Sequence, residues 1–105
     1  MTQIKAAIQA GNATALARYF DDQVELTILD NENGYSKVQA IEVVKNFFNK
    51  HPVTNFTIMH HSTTGGNAEY AIGTLQTTLG TFRTYILLKN IEGKMLIQQL
   101  KFTED

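Results

Sequence analysis

The strongest constraint on the fold is a run of β-prone sequence from Phe56 to Phe102. β-Branched and aromatic residues dominate it, which is typical of strands. Three turn-forming sites divide it, at Gly65-Gly66-Asn67, Leu79-Gly80 and Glu92-Gly93. Four consecutive strands joined by short turns are therefore predicted, and strands joined in this way pair antiparallel.

The N-terminal half is predicted to supply helices that cover this sheet. From Thr2, expected to act as an N-cap, apolar residues recur at helical spacing as far as Phe20. Gly11-Asn12 can end one helix and cap the next. A short half-buried strand is then predicted from Val24 to Ile28, followed by a turn-rich loop over Asp30 to Gly34.

The best-specified helix begins with a capping-box pattern, Ser36 with Gln39, and its end near Asn49 or Lys50 is set by Pro52. The predicted fold class is α+β, with N-terminal helices packed on a curved, mainly antiparallel sheet. The predicted element order is α-α-β-α-β-β-β-β. Residues 1–105 are expected to form a single domain.

The composition disfavours several classes of function. Nine basic and ten acidic residues give a formal charge of −1, and the basic residues are scattered, so no nucleic-acid partner is predicted. The chain has no cysteine, which excludes disulfides and thiolate nucleophiles. No apolar run reaches the length of about 18 residues that a membrane span needs, so no membrane span is predicted.

Strand parity assigns residues to the two faces of the predicted sheet. If Leu79-Gly80 form a two-residue loop, Thr78 pairs with Thr81, and an even-numbered loop at Glu92-Gly93 extends the same parity into the last strand. One face then carries Tyr70, Ile72, Thr74, Gln76, Arg83, Tyr85, Leu87, Leu96, Gln98, Leu100 and Phe102. The other carries Ala71, Gly73, Leu75, Phe82, Thr84, Ile86, Leu88 and Ile97. Both faces are substantially apolar and the helices can cover one, so a homodimer through the outer sheet face is predicted.

Gly73 stands in the middle of a predicted strand. Glycine weakens a strand interior and commonly marks a bulge or a bend. Gly73 is therefore predicted to mark the point at which the sheet curves round the long helix.

The chain also resembles a small bacterial domain family of unknown function within the nuclear transport factor 2-like superfamily. The resemblance covers nearly the whole chain. It rests on AIQAGNATALARYF (Ala7 to Phe20), VELTIL (Val24 to Leu29), YSKVQAIEVVKNFF (Tyr35 to Phe48) and YAIGTLQTTLGTFRTYILLK (Tyr70 to Lys89). It implies a cone-shaped α+β fold with a pocket at its wide end, often with dimerisation. It also implies export to the periplasm or cell surface, with the leader absent from this sequence.

The enzymes of this superfamily suggest a test for catalysis, since an isomerase of this fold needs an inward general base. From Phe56 to Phe102 only Glu69 and Glu92 are acidic, and both lie next to turns. His60 and His61 are adjacent in a strand and point to opposite faces, which makes joint ligation of one metal awkward. No catalytic residue, metal site or cofactor is predicted.

A ligand pocket is predicted between the long helix and the sheet, with a small organic acid or a peptide as its ligand. Arg83 can instead cap the sheet edge with its head in solvent, and Phe47 fits core packing. Two alternatives stay open: an isomerase or cyclase that uses an inward histidine, and a dimerising interaction module with a vestigial pocket. The candidate pocket residues are Tyr19, Phe47, His60, Tyr70, Arg83, Tyr85 and Gln98.

Overall fold

A computed structural model describes residues 1–105, and these form three helices and one six-stranded sheet. The elements are α1 (Thr2–Gln9), α2 (Ala13–Ala17), β1 (Phe20–Ile28), β2 (Asn31–Ser36), α3 (Lys37–Lys50), β3 (Val53–Thr64), β4 (Ala68–Thr77), β5 (Gly80–Ile91) and β6 (Lys94–Glu104). The sheet order is β2-β1-β6-β5-β4-β3, and only β1 and β6 run parallel. The predicted α+β class and element order are confirmed, with β2 as an additional strand.

The break between the first two helices is formed as predicted. Gly11 adopts a left-handed φ of 63°, which glycine tolerates without a steric cost. The Asn12 side chain accepts a 3.0 Å hydrogen bond from the backbone N–H of Ala15. Two details differ: Met1, not Thr2, is the N-cap of α1, and α2 stops before Phe20, which begins β1.

The predicted loop over Asp30 to Gly34 is wrong, because most of it belongs to β2. This strand turns back at Leu29-Asp30 and pairs antiparallel with β1 from Gln23↔Ser36 to Ile28↔Asn31. Pairing with a neighbouring strand satisfies backbone groups that a loop would leave to water, and this outweighs the local turn preference. Its polar residues suit an exposed edge strand.

The capping box at the start of α3 is confirmed. The Ser36 hydroxyl accepts a hydrogen bond from the Gln39 backbone N–H at 3.3 Å, and the Ser36 backbone N–H donates to Gln39 Oε1 at 3.2 Å. The helix ends at Lys50, as Pro52 predicts. Both ends of α3 are therefore set by local sequence.

Replacing Ser36 by alanine is expected to lower the free energy of unfolding by about 1 kcal/mol, because an N–H at the helix start loses its acceptor. The midpoint of urea unfolding measures this loss. Ser62→Ala, the same change in β3, is the control and should leave the midpoint nearly unchanged. Equal losses in the two variants would contradict the capping role.

The face assignments for β4 and β5 hold although the turn between them is displaced. Thr77 pairs with Gly80, so the loop residues are Thr78-Leu79 instead of Leu79-Gly80. Each residue now pairs two positions away from the predicted partner, which preserves parity. Thr74 lies opposite Arg83 on the outer face, and Ala71 lies opposite Ile86 on the face that meets the helices.

The assignment of Leu100 and Phe102 to the outer face is wrong. The Glu92-Gly93 turn is the expected two-residue loop, but the β5–β6 register shifts between Leu87↔Gln99 and Leu88↔Ile97. This β-bulge contributes one extra residue to β6 and reverses the facing beyond it. Leu100 and Phe102 are both 0% exposed in the core, so the outer face is less apolar than predicted.

The space between α3 and the centre of the sheet is filled by aromatic rings. Phe47 stacks on Phe102 with ring centroids 4.7 Å apart and meets Phe82 edge-on at 5.4 Å. Phe48 contacts Phe102 from a second side at 5.8 Å. The predicted position of the ligand pocket, under the long helix, is therefore occupied by core packing.

Gly73 lies next to a bulge, although the extra residue is in the neighbouring strand. The β3–β4 register shifts between Ile58↔Gly73 and His60↔Ile72, and Met59 is exposed there. The ring of Phe56 lies where a side chain of residue 73 would stand. The mid-strand glycine thus accompanies an irregularity of the sheet and a close approach of two strands.

Candidate functional site

A half-open cavity of about 390 Å³ lies between α1 and one end of the sheet. Its wall comprises part of α1, the segment joining α2 to β1, the beginnings of β4 and β6, and Leu88 of β5. A volume of this size falls within the range of small-molecule sites, about 300–1,000 Å³. The lining residues are Met1, Gln3, Ile4, Arg18, Tyr19, Glu69, Leu88, Lys94, Met95 and Leu96.

Hydrogen bonds hold the wall of this cavity together. The Tyr19 hydroxyl donates to Gln3 Oε1 at 2.8 Å, which ties the segment between α2 and β1 to α1. The backbone N–H of Ile97 donates to the Tyr19 carbonyl oxygen at 2.6 Å, which ties the same residue to β6. Tyr19 therefore stands at the junction of the elements that enclose the cavity.

The lining combines apolar side chains with a few charged ones. Ile4 and Leu88 are buried, and Met95 and Leu96 are half-buried. Arg18 and Lys94 are exposed and carry positive charge. Ligand pockets in proteins commonly combine an apolar lining with a few polar or charged groups in this way.

Glu69 is the acidic group in this wall, and His61 contacts it. Glu69 Oε2 meets His61 Nε2, and their side chains are 16% and 40% exposed. The β3 bulge brings them together, since it turns His61 to the helix side of the sheet and His60 to the outer side. The prediction that the two histidines face opposite ways is confirmed.

Four of the seven candidate residues lie on the outer face, away from the helices: His60, Tyr70, Arg83 and Tyr85. His60 Nε2 lies 3.3 Å from the Tyr70 hydroxyl, and the rings of Tyr70 and Tyr85 are 6.3 Å apart. Arg83 is exposed and makes no ion pair. These residues form a surface row and not the lining of a cavity.

The other three candidate residues lie in three different places. Tyr19 lines the cavity described above. Phe47 is buried beneath α3 and borders a cleft of about 250 Å³ between α3 and the β1–β2 turn. Gln98, at the β6 bulge, donates to Asp21 Oδ2 at 2.9 Å. The structure therefore does not bring the seven residues together.

Glu69, Arg18 and Lys94 were not singled out from the sequence as cavity residues. One of them could have been placed from the sequence, and the other two could not. Glu69 shares the parity of Ala71 and Gly73, so strand alternation alone could have placed it on the helix side. Arg18 and Lys94 gave no comparable signal, because their position beside the cavity depends on how α1 docks onto the sheet.

No group of three or more histidine or acidic side chains is arranged to hold a metal ion. None of the three helices has the length and apolar character needed to cross a membrane.

Residues 1–103 match the model of a domain family described as a domain of unknown function, DUF4783. A DUF4783 family protein from Bacteroides ovatus has a solved structure with TM-score 0.95 and 28% identity, covering 100% of this chain and 94% of that one. One from Bacteroides uniformis gives TM-score 0.96 and 26% identity, covering 99% and 95%.

The likeness extends to other proteins at the level of the fold. An NTF2-like protein of unknown function from Shewanella baltica has TM-score 0.71 and 18% identity, with 96% of this chain and 84% of that chain covered. The predicted resemblance to the nuclear transport factor 2-like superfamily is confirmed as a likeness of fold. No protein of curated function matches the chain.

Proposed function

This chain belongs to the DUF4783 family of unknown function, and we propose that it is a non-enzymatic domain that binds a small organic acid or a peptide end. The observation that carries the proposal is the cavity of about 390 Å³ beneath α1, with its apolar lining and its two cationic side chains. The proposed site is therefore the open space under α1, whereas the sequence had placed it under α3, in space that aromatic rings fill.

The charges of the wall favour a carboxylate ligand. Arg18 and Lys94 have no carboxylate partner within the chain, because the one carboxylate contact of this kind in the structure joins Glu69 to the imidazole of His61. Glu69 is thereby engaged with a histidine, which leaves the two cations available. An arginine can bind a carboxylate with two parallel hydrogen bonds, while the apolar residues contact the rest of the molecule.

A saturating amphipathic carboxylate is expected to raise the thermal midpoint, because a ligand at 100 times its dissociation constant stabilises the folded state by about 2.7 kcal/mol. Octanoate and phenylacetate are suitable probes in a thermal-shift titration. Arg18→Ala should weaken binding about tenfold or more, since it removes a charged partner of the ligand.

Arg83→Ala is the matched control, because it deletes the same side chain from the opposite face of the sheet. It should leave ligand affinity unchanged. Octanamide, which has no charge, should bind more weakly than octanoate. Equal affinity of the two arginine variants, or of octanamide and octanoate, would contradict the proposed site.

A second candidate function is an isomerase or cyclase in which His61 and Glu69 move a proton at the cavity. The contact between these two side chains favours it, because a catalytic base is commonly oriented by a hydrogen-bonded partner. Chemical conversion of a bound ligand, followed by NMR and lost in His61→Gln while binding persists, would distinguish this activity from simple binding.

Self-association through the outer face stays a prediction. Tyr70, Ile72, Tyr85 and Leu87 are half-buried there, with no element of the chain packed over them. Analytical ultracentrifugation measures the oligomeric state directly. Arg83, Lys89 and Lys101 lie beside these residues, and their positive charge affects which partner this face can bind.

A further inference from the structure

The outer face of β4, β5 and β6 combines a central apolar group with positive charges around it. In the middle, Tyr70 pairs with Leu87 and Ile72 pairs with Tyr85. Lys101 lies opposite Tyr85, with its Nζ 5.7 Å from the ring centroid. We name this surface the cationic face and define it by Tyr70, Ile72, Arg83, Tyr85, Leu87, Lys89 and Lys101.

The positive charges of this face are not neutralised by the chain. Arg83, Lys89 and Lys101 form no ion pair. None of the ten acidic residues lies on the outer side of β3 to β6, since Glu69 and Glu104 pair with the buried residues Leu88 and Phe82. The part of the outer face formed by β4, β5 and β6 therefore carries cations and no carboxylate, whereas Glu25 and Glu32 lie on the same face in β1 and β2, beyond Lys101.

The charges have a regular spacing along β5. Arg83, Tyr85, Leu87 and Lys89 alternate on one side of an unbroken stretch of the β4–β5 ladder. Arg83 and Lys89 thus stand at the two ends of the apolar centre, about 20 Å apart at the rise of an antiparallel strand. Arginine and tyrosine are also the residue types enriched at protein interfaces.

We propose that the cationic face binds an extended acidic segment of a partner protein, with carboxylates at both ends of an apolar stretch. The segment's carboxylates pair with Arg83 and Lys89, and its apolar side chains cover Tyr85 and Leu87. An extended chain has the same rise per residue as β5, so carboxylates about six residues apart match the two cations.

The same charges disfavour other occupants. In a two-fold dimer centred on Tyr85 and Leu87 with aligned strands, Arg83 of one copy meets either Arg83 or Lys89 of the other, so like charges face each other. Three cations are fewer than the about four to eight that are typical of lipid-binding clusters. They also neutralise few phosphates, which limits affinity for nucleic acid.

The test is a fluorescence-anisotropy titration with a labelled nine-residue peptide that has two glutamates at each end and alternating threonine and leucine between them. The wild-type chain is expected to bind it at low salt and to lose affinity as salt rises. The double variant R83E/K89E should bind it at least tenfold more weakly. A peptide with lysines in place of the glutamates should prefer R83E/K89E to the wild type by at least tenfold.

Lys5→Glu with Lys45→Glu is the matched control, because it makes the same change in net charge on exposed helix positions. It should keep the wild-type affinity.

The proposal is overturned if the acidic peptide does not bind, or if the control loses as much affinity as R83E/K89E. It is also overturned if the lysine peptide does not bind R83E/K89E more tightly than the wild type. Stronger binding of single-stranded DNA or anionic vesicles than of the peptide, or a dimer that the peptide does not dissociate, also overturns it. Octanoate binding under α1 should persist in R83E/K89E, so the two proposals can fail separately.

Discussion

Replacing Gly73 by valine is expected to lower the free energy of unfolding by about 3 kcal/mol or more, near the upper end of the usual cost of overpacking. A Cβ at this position would lie 2.6 Å from the backbone oxygen of Thr57 and 2.9 Å from the ring of Phe56. The first of these atoms belongs to the neighbouring strand and cannot rotate away, so β3 must shift. At about 4–8 °C per kcal/mol for a domain of this size, the thermal midpoint should fall by about 10–25 °C.

Gly34→Val is the matched control for this prediction. Gly34 lies in the exposed edge strand β2, and a Cβ there would meet nothing within 4 Å. The same substitution should therefore change stability by only about 0.5 kcal/mol, and valine also suits a strand. If Gly73→Val kept the wild-type thermal midpoint and circular dichroism spectrum, the close approach of the strands at Gly73 would be wrong.

Features set by neighbours in the sequence could be predicted. The capping box of Ser36 and Gln39 needs only residues three apart, and the Glu92-Gly93 turn is marked by a glycine, which accepts a left-handed φ, between two β-prone segments. The strand β2 could not be found this way. Its Asn-Glu-Asn-Gly sequence favours a turn, and it becomes a strand only because β1 offers a pairing edge.

The bulge in β6 left a signal in the sequence that strict alternation overlooks. Ile97, Leu100 and Phe102 are all large and apolar, yet a regular strand would put the first on one face and the other two on the opposite face. One extra residue between Ile97 and Leu100 places all three in the core, where each is 0% exposed. The spacing of core-forming residues thus indicates where the ladder is interrupted.

The cavity was harder to locate than the fold. Its position depends on the docking of α1 across the end of the sheet and on the aromatic packing that fills the space under α3. Both are long-range outcomes of packing. Parity could place Glu69 on the helix side, but the β3 bulge that brings His61 to it has no marker in its own strand.

Leu100→Ala is expected to lower the free energy of unfolding by about 2–5 kcal/mol, the usual cost of truncating a fully buried leucine. Leu100 is 0% exposed and lies between Leu26 of β1 and Ile86 of β5. Leu96→Ala is the matched control in the same strand. Leu96 is half-buried on the other side of the bulge, opposite Lys89, so its truncation should cost only about 1 kcal/mol.

Chemical denaturation of the two variants tests the bulge directly. Without the bulge, Leu96 and Leu100 would share the outer face, and their truncations would have similar, small costs. With it, only Leu100 faces the core beside Phe102, and its loss leaves a cavity that the surrounding rings cannot fill without moving. Equal small losses in both variants would show that β6 is a regular strand and that Leu100 faces outward.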